Sequence, residues 1–99
     1  MAENPLKVFE KLDPELLKLV DHTKMLALND GALPRRVKLL MAMALDASQG
    51  TAEGVKSLTQ QAMNAGATKE EIMEAVRVAQ YICGVGCVYT AANAFKDLF

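Results

Sequence analysis

Residues 65–74 of this 99-residue chain read AGATKEEIME, and this stretch decides how the chain divides into helices. Thr68 and Glu71 have the spacing of a capping box, in which the Thr hydroxyl accepts the backbone N–H of the third helical residue. The Glu carboxylate in turn accepts the backbone N–H of the Thr. Gly66, just before them, is the residue type that most often follows a helix end. The stretch therefore predicts that one helix ends at Gly66 and that the next begins after Thr68.

Turn-forming residues on both sides of this boundary divide the remaining sequence into further helices. Asp13 suits the cap of a helix whose first turn contains Pro14, Gly50 ends a helix, and Thr51 caps the following one. The glycines of Gly84-Val85-Gly86 break the helix that starts after Thr68. The predicted helices cover about residues 4–12, 14–28, 34–49, 51–66 and 68–83, and the last runs from the glycine break to residue 99. We therefore predict an all-α fold of six helices.

Apolar residues recur at the 3.6-residue spacing that places them on one buried face of each helix. Residues 39–45 are apolar on every side, which predicts a central helix surrounded by others. The residues predicted to face inward from the other helices are Leu16, Leu19, Val20, Thr23 and Ala27; Val55, Leu58, Ala62 and Ala65; Ile72, Val76, Ala79 and Cys83; and Val88, Ala91, Ala92, Phe95 and Leu98 or Phe99.

Basic residues at the start of the predicted central helix conflict with the helix dipole. Arg35, Arg36 and Lys38 all lie in its first turns, where negative charge is the favourable kind. Carboxylate partners on other helices or on another subunit would explain them, and so would simple solvation. An anionic substrate is a further alternative for the two arginines.

Composition and charge restrict the function classes. The chain is 52% apolar and carries 11 basic against 12 acidic residues, for a net charge of −1, so nucleic acids and anionic membranes are not expected as partners. No apolar run approaches the roughly 20 residues that cross a bilayer. Charges at Glu3, Lys7 and Glu10 argue against a signal peptide, so we expect one cytoplasmic domain over residues 1–99.

Two cysteines are the candidate catalytic residues. Cys83 and Cys87 flank the glycine break, and without an export signal we expect them to remain thiols. Cys87 follows the break, where a helix N-terminus favours a thiolate, so we expect it to attack and Cys83 to resolve, or the reverse. The alternative is that both are small apolar core residues. His22, the single histidine, is interpreted as a surface or half-buried residue. With so few ligands we expect no metal and no cofactor.

The central apolar helix, the run at residues 65–74 and the Gly84-Val85-Gly86 break together resemble the carboxymuconolactone decarboxylase family, which includes the alkylhydroperoxidase AhpD-like proteins. The resemblance covers about residues 33–97. It implies an all-α, AhpD-like subunit that assembles into a symmetric oligomer, commonly a trimer or hexamer. It also implies a thiol-dependent peroxidase or disulfide reductase of antioxidant defence that acts on a small molecule.

The chain departs from this family at the positions that carry the chemistry. AhpD-like members have a C-x-x-C pair and a following His, and these positions fall on Thr51, Gly54 and Leu58, while a family Glu falls near Lys38. Leu58 is instead predicted to belong to the core. The leading hypothesis is therefore an oxidoreductase that uses Cys83 and Cys87. The alternatives are a ligand-binding or assembly subunit without redox activity and, last, a decarboxylase of a muconolactone-like acid.

Overall fold

The computed structural model describes residues 4–99, and within that range it is all α-helical with no strand. A 3-10 turn, Pro5–Val8, leads into the short α1. The helices are α1 (Phe9–Leu12), α2 (Pro14–Leu28), α3 (Arg35–Ser48), α4 (Ala52–Asn64), α5 (Lys69–Cys83) and α6 (Gly86–Phe95). The all-α, six-helix prediction is confirmed, although α6 ends four residues before the predicted end. None of these helices combines the length and the apolar character that crossing a bilayer requires.

Helix α3 lies at the centre and packs against α4, α5 and α6. Its buried residues, Leu39, Met43 and Ala47, are spaced four apart and so form one stripe. The core also contains Val55 of α4 and Ile72 of α5. The prediction that residues 39–45 are surrounded on all sides was wrong in part, because Met41 and Leu45 lie on the opposite face of α3 and are exposed.

The predicted capping box is present at the start of α5. The Thr68 backbone N–H donates to Glu71 Oε1 at 2.9 Å, and the Glu71 backbone N–H donates to Thr68 Oγ1 at 3.1 Å. Gly66 has a φ of 103°, a backbone conformation that side chains other than glycine rarely adopt. The boundary between α4 and α5 is therefore fixed by local chemistry, as the sequence predicted.

The same carboxylate links α5 to the central helix. Glu71 Oε2 accepts a hydrogen bond from the Arg36 guanidinium, and the two groups form an ion pair between the first turns of α3 and α5. The sequence left several explanations open for the basic residues at the start of α3. For Arg36, the structure shows a carboxylate partner on another helix. The hydrogen bond from the Thr68 backbone N–H has the largest effect on the pKa of the Glu71 carboxyl and lowers it; desolvation opposes this effect, and the charge of Arg36 lowers the pKa further, so that it lies below its ordinary value.

Helix α2 differs most from expectation. Its predicted inward stripe is exposed, and Leu28 is its one buried residue. The reason is that α2 contacts α1 and the start of α3 rather than lying across the core. A globular chain of this mass exposes roughly 5,500 Å², whereas this chain exposes 6966 Å². Its radius of gyration is 14.2 Å, against roughly 12.6 Å for a compact chain of the same length.

The buried faces near the C-terminus also depart from the prediction. Ala65, Cys83, Val88 and Ala92 are exposed, while Cys87 and Ala94 are buried with Ala91. The chain turns at Gly84, which has a φ of 86°, so α6 starts in a new direction. A change of direction rotates the inward face of a helix, and periodicity within the helix does not reveal by how much.

We expect Thr68→Ala to lower the free energy of unfolding by about 0.5–2 kcal/mol, because it removes the acceptor of the Glu71 N–H. Thr51→Ala is the matched control, since Thr51 has the corresponding position before α4 but makes no capping hydrogen bond with its side chain. Urea unfolding measures both variants. Equal midpoints for the two variants would show that the capping box does not stabilise α5.

The lowered pKa of Glu71 gives a pH dependence of known sign. The Glu71 carboxylate contributes fully to the free energy of unfolding above the ordinary carboxyl pKa of about 4.3. This contribution is lost as the pH falls through the lower pKa that Glu71 has in the folded state. Glu71→Gln should therefore destabilise the protein at neutral pH, and the difference from wild type should shrink below about pH 4. Glu70→Gln, which removes an exposed charge from the same turn, is the control. A difference for Glu71→Gln that is independent of pH would contradict this explanation.

Candidate functional site

The two cysteines lie on either side of the predicted helix break. Helix α5 ends at Cys83, the Gly84 backbone N–H donates to the Gln80 carbonyl at 2.9 Å, and α6 begins at Gly86. Cys87 is thus the second residue of α6, in its first turn. The break is present, and it separates the two thiols into different helices.

The fold gives the two thiols different environments. Cys87 is 3% exposed, and its Sγ donates to the carbonyl oxygen of Gly84 at 3.1 Å. Cys83 is exposed, and both cysteines are free. A sulfur that attacks a substrate must be accessible to it, and of the two thiols Cys83 meets this condition. The helix N-terminus that motivated the expectation that Cys87 attacks is there, but the side chain points into the core.

Cys83 also lies at one end of an apolar groove between α3 and α5, which we call the α3/α5 groove. Its volume is about 280 Å³. The lining residues are Met41, Ala44, Leu45 and Ser48 from α3 and Val78, Ala79, Ile82 and Cys83 from α5. Ser48 and Cys83 supply the polar side chains, and within the described part of the chain neither a carboxylate nor an imidazole lines the groove. The arrangement suits a small apolar molecule held beside a thiol.

The positions of the missing family motif form no site of their own. Thr51 and Gly54 lie at the start of α4, and Leu58 packs partly buried against the core, as predicted. A Cβ built on Gly54 would overlap the Asp46 carboxylate and lie 3.0 Å from its Cγ. Asp46, at the end of α3, therefore fills the space where a cysteine at residue 54 would project. A negative charge is favourable there, because it lies beside a helix N-terminus.

The remaining candidates lie away from the cysteines. His22 is exposed on α2 and borders a separate cavity of about 460 Å³ that also touches Lys38. The Arg35 backbone N–H donates to Asp30 Oδ1 at 2.5 Å. Within residues 4–99 no group of three or more His, Cys, Asp or Glu side chains is arranged to hold a metal ion.

Comparison with known proteins agrees with this architecture. The model of the carboxymuconolactone decarboxylase family matches residues 14–97. The chain belongs to the carboxymuconolactone decarboxylase family. The crystal structure of an apo family member from Legionella pneumophila is 32% identical in sequence and superposes with a TM-score of 0.87. The match covers 92% of this chain and 81% of the Legionella protein. No curated protein matches significantly.

Family membership confirms the resemblance and extends it to α2, which the motifs at residues 33–97 did not reach. The sequence analysis did not identify Asp46 as a neighbour of Gly54, one of the positions where the family's C-x-x-C motif is absent. A signal was present, because a glycine inside a predicted helix often marks a close approach by another group, and Gly54 is such a residue. The α3/α5 groove had no signal of comparable strength, since its lining residues come from two distant segments.

The contact between Asp46 and Gly54 predicts coupled substitutions. Replacing Gly by Ala within a helix raises the free energy of unfolding by up to about 1 kcal/mol. At Gly54 we expect a much smaller increase or a decrease in the free energy of unfolding, because the new methyl group overlaps the Asp46 carboxylate. In the Asp46→Ala background, Gly54→Ala should recover that gain. Asp46→Asn, which keeps the size of the side chain, is the control and should not restore it. Additive free energies of unfolding across this cycle would contradict the close approach.

Proposed function

We propose that the protein is a thiol-dependent oxidoreductase of antioxidant defence, a peroxidase or disulfide reductase, in which Cys83 attacks and Cys87 resolves. The observation that carries the proposal is that Cys83 is an exposed thiol at the end of the apolar α3/α5 groove. A second thiol follows four residues later, across a helix break. Membership of a family that includes the alkylhydroperoxidase AhpD-like proteins supports the same reaction class.

In the peroxidase reaction, Cys83 would attack the terminal oxygen of an organic hydroperoxide. The S–O bond forms as the O–O bond breaks, the thiol proton passes to the leaving alkoxide, and an alcohol and a sulfenic acid result. The Cys87 thiol then attacks the sulfenic sulfur, which forms a disulfide and releases water. An external dithiol supplies the two electrons and two protons that restore both thiols.

The resolving step requires the start of α6 to open. Cys87 must leave the core and give up its hydrogen bond to Gly84 before its sulfur can reach Cys83. Gly84 and Gly86 are suited to this change, because glycine adopts a wide range of backbone conformations. In addition, no neighbouring atom lies within 4 Å of the position that a Cβ would occupy on either residue. A first turn without a capping side chain is also less costly to open.

The second candidate is a ligand-binding or assembly subunit without redox activity. The observation that favours it is the apolar lining of the α3/α5 groove, which suits a small apolar ligand whether or not Cys83 reacts. Decarboxylation of a muconolactone-like acid lacks comparable support. Leu58 occupies the position of the family's His, which leaves no proton donor there, and no carboxylate or imidazole of residues 4–99 lines the groove.

We also propose that the protein assembles with copies of itself into a closed ring, a trimer or a hexamer. The support is the accessible area, which exceeds that of a compact chain of this mass by roughly 1,500 Å². Large apolar side chains on α2, α3 and α5 are exposed as well. Monomeric proteins rarely leave large contiguous apolar patches open to water.

The redox proposal is tested by treating wild type, Cys83→Ser and Cys87→Ser with cumene hydroperoxide and measuring intact masses. Wild type should lose two hydrogens as the disulfide forms. Cys87→Ser should form a sulfenic acid that dimedone traps, because Cys83 still attacks but nothing resolves it. Cys83→Ser should stay unchanged, because the remaining thiol is buried. Oxidation of Cys83→Ser at the wild-type rate would refute the assignment, and inert thiols in every folded variant would leave the ligand-binding function.

A further inference from the structure

Two apolar surfaces have no partner among residues 4–99. The first is a face of α2 formed by Leu19, His22 and Leu26, whose spacing of three and four residues places them side by side. Leu19 is 61% exposed and Leu26 is 77% exposed. The chain's single histidine therefore lies between two exposed leucines on a helix that contacts little besides α1 and the start of α3. We call this surface the α2 face.

The second surface is the α3/α5 groove, which lies between two helices that pack against each other. Ile82 on its wall is 74% exposed, and Val78 and Leu45 are exposed beside it. A groove between two packed helices is the shape that receives the ridge of side chains of a third helix. A face of spaced leucines on an otherwise uncovered helix is such a ridge.

We propose that α2 of a second copy of this chain lies in the α3/α5 groove, which brings His22 of the partner subunit to the wall that Cys83 forms. Each copy has one such face and one such groove, so the contact joins unlike surfaces, and its repetition from copy to copy forms a ring when the rotation between copies closes. A contact between two grooves would leave every α2 face open to water. Placing α2 of one copy in the groove of another covers both the α2 face and the α3/α5 groove with one type of contact.

The accessible area agrees with this arrangement. A stable interface buries about 800 Å² on each partner. In a ring of unlike contacts every chain contributes two surfaces, which amounts to about 1,600 Å² per chain. The surplus area of this chain, roughly 1,500 Å², is close to that amount.

The partner histidine would complete the site, because the groove of one chain contains no base. The imidazole of His22 of the partner subunit would accept the Sγ proton of Cys83, which leaves the thiolate that attacks. Cys83 lies at the end of α5 next to Gly84, and the space where a Cβ of Gly84 would project is open. The Cys83 end of the groove therefore stays open to a substrate after α2 of the second copy covers the rest of the groove. This assignment rests on the oligomer and on the reactive Cys83 proposed above.

The contact is tested by cross-linking His22→Cys/Cys87→Ser, which has thiols only at residues 22 and 83. Diamide, an azo oxidant that takes up the two electrons and two protons of disulfide formation, should join residue 22 of one chain to Cys83 of another. Peptide mass spectrometry identifies the linked residues. Asp21→Cys/Cys87→Ser is the matched control, because residue 21 lies beside His22 in sequence but on another side of α2. It should cross-link several-fold more slowly.

Light scattering of the same samples separates the possible failures. An oligomeric mass without the link between residues 22 and 83 would overturn the contact and leave the oligomer standing. A monomeric mass would overturn both, whereas the hydroperoxide reaction of Cys83 is measured independently. His22→Gln should slow alkylation of Cys83 by iodoacetamide several-fold at neutral pH while the mass stays unchanged. An unchanged alkylation rate would overturn the role of the imidazole.

Discussion

The ion pair between Glu71 and Arg36 is the contact on which the candidate site depends. One carboxylate caps α5 through Thr68 and holds the first turn of α3. Helices α3 and α5 therefore start side by side, and they are 14 and 15 residues long. Because they also pack against each other along their length, their last turns lie together, and Ser48 and Cys83 line the same groove. The ion pair and the exposed thiol thus lie at opposite ends of the same pair of helices.

Features set by neighbouring residues were predictable from the sequence, and features set by distant residues were not. The capping box and the Gly84 break depend on a few adjacent residues, so their patterns predicted them correctly. A carboxylate partner was one of the explanations for the basic start of α3, but only the fold identifies Glu71 as the partner of Arg36. The stripe on α2 was predicted to face inward because periodicity reveals an apolar face and does not reveal whether that face lies in the core.

The cysteines illustrate the same limit. Cys83 and Cys87 are related by a nearly symmetric C-G-V-G-C sequence, and nothing in it distinguishes the exposed thiol from the buried one. The difference arises because α5 ends at Cys83 and α6, which starts after the turn at Gly84, places the Cys87 side chain in the core. At the start of α4, Asp46 lies against Gly54, so a thiol could not be placed there without moving that carboxylate. In our proposal the reactive thiol has accordingly moved from the start of α4 to the end of α5.

The central claim is that the fold makes Cys83 the accessible thiol and protects Cys87. Timed alkylation of the native protein with iodoacetamide, followed by peptide mass spectrometry, measures the two rates in one sample. We expect Cys83 to be modified rapidly and Cys87 to react at a comparable rate only after unfolding, because its side chain is buried and hydrogen-bonded to Gly84. Modification of Cys87 before Cys83 in the native protein, or equal rates for both, would contradict the account.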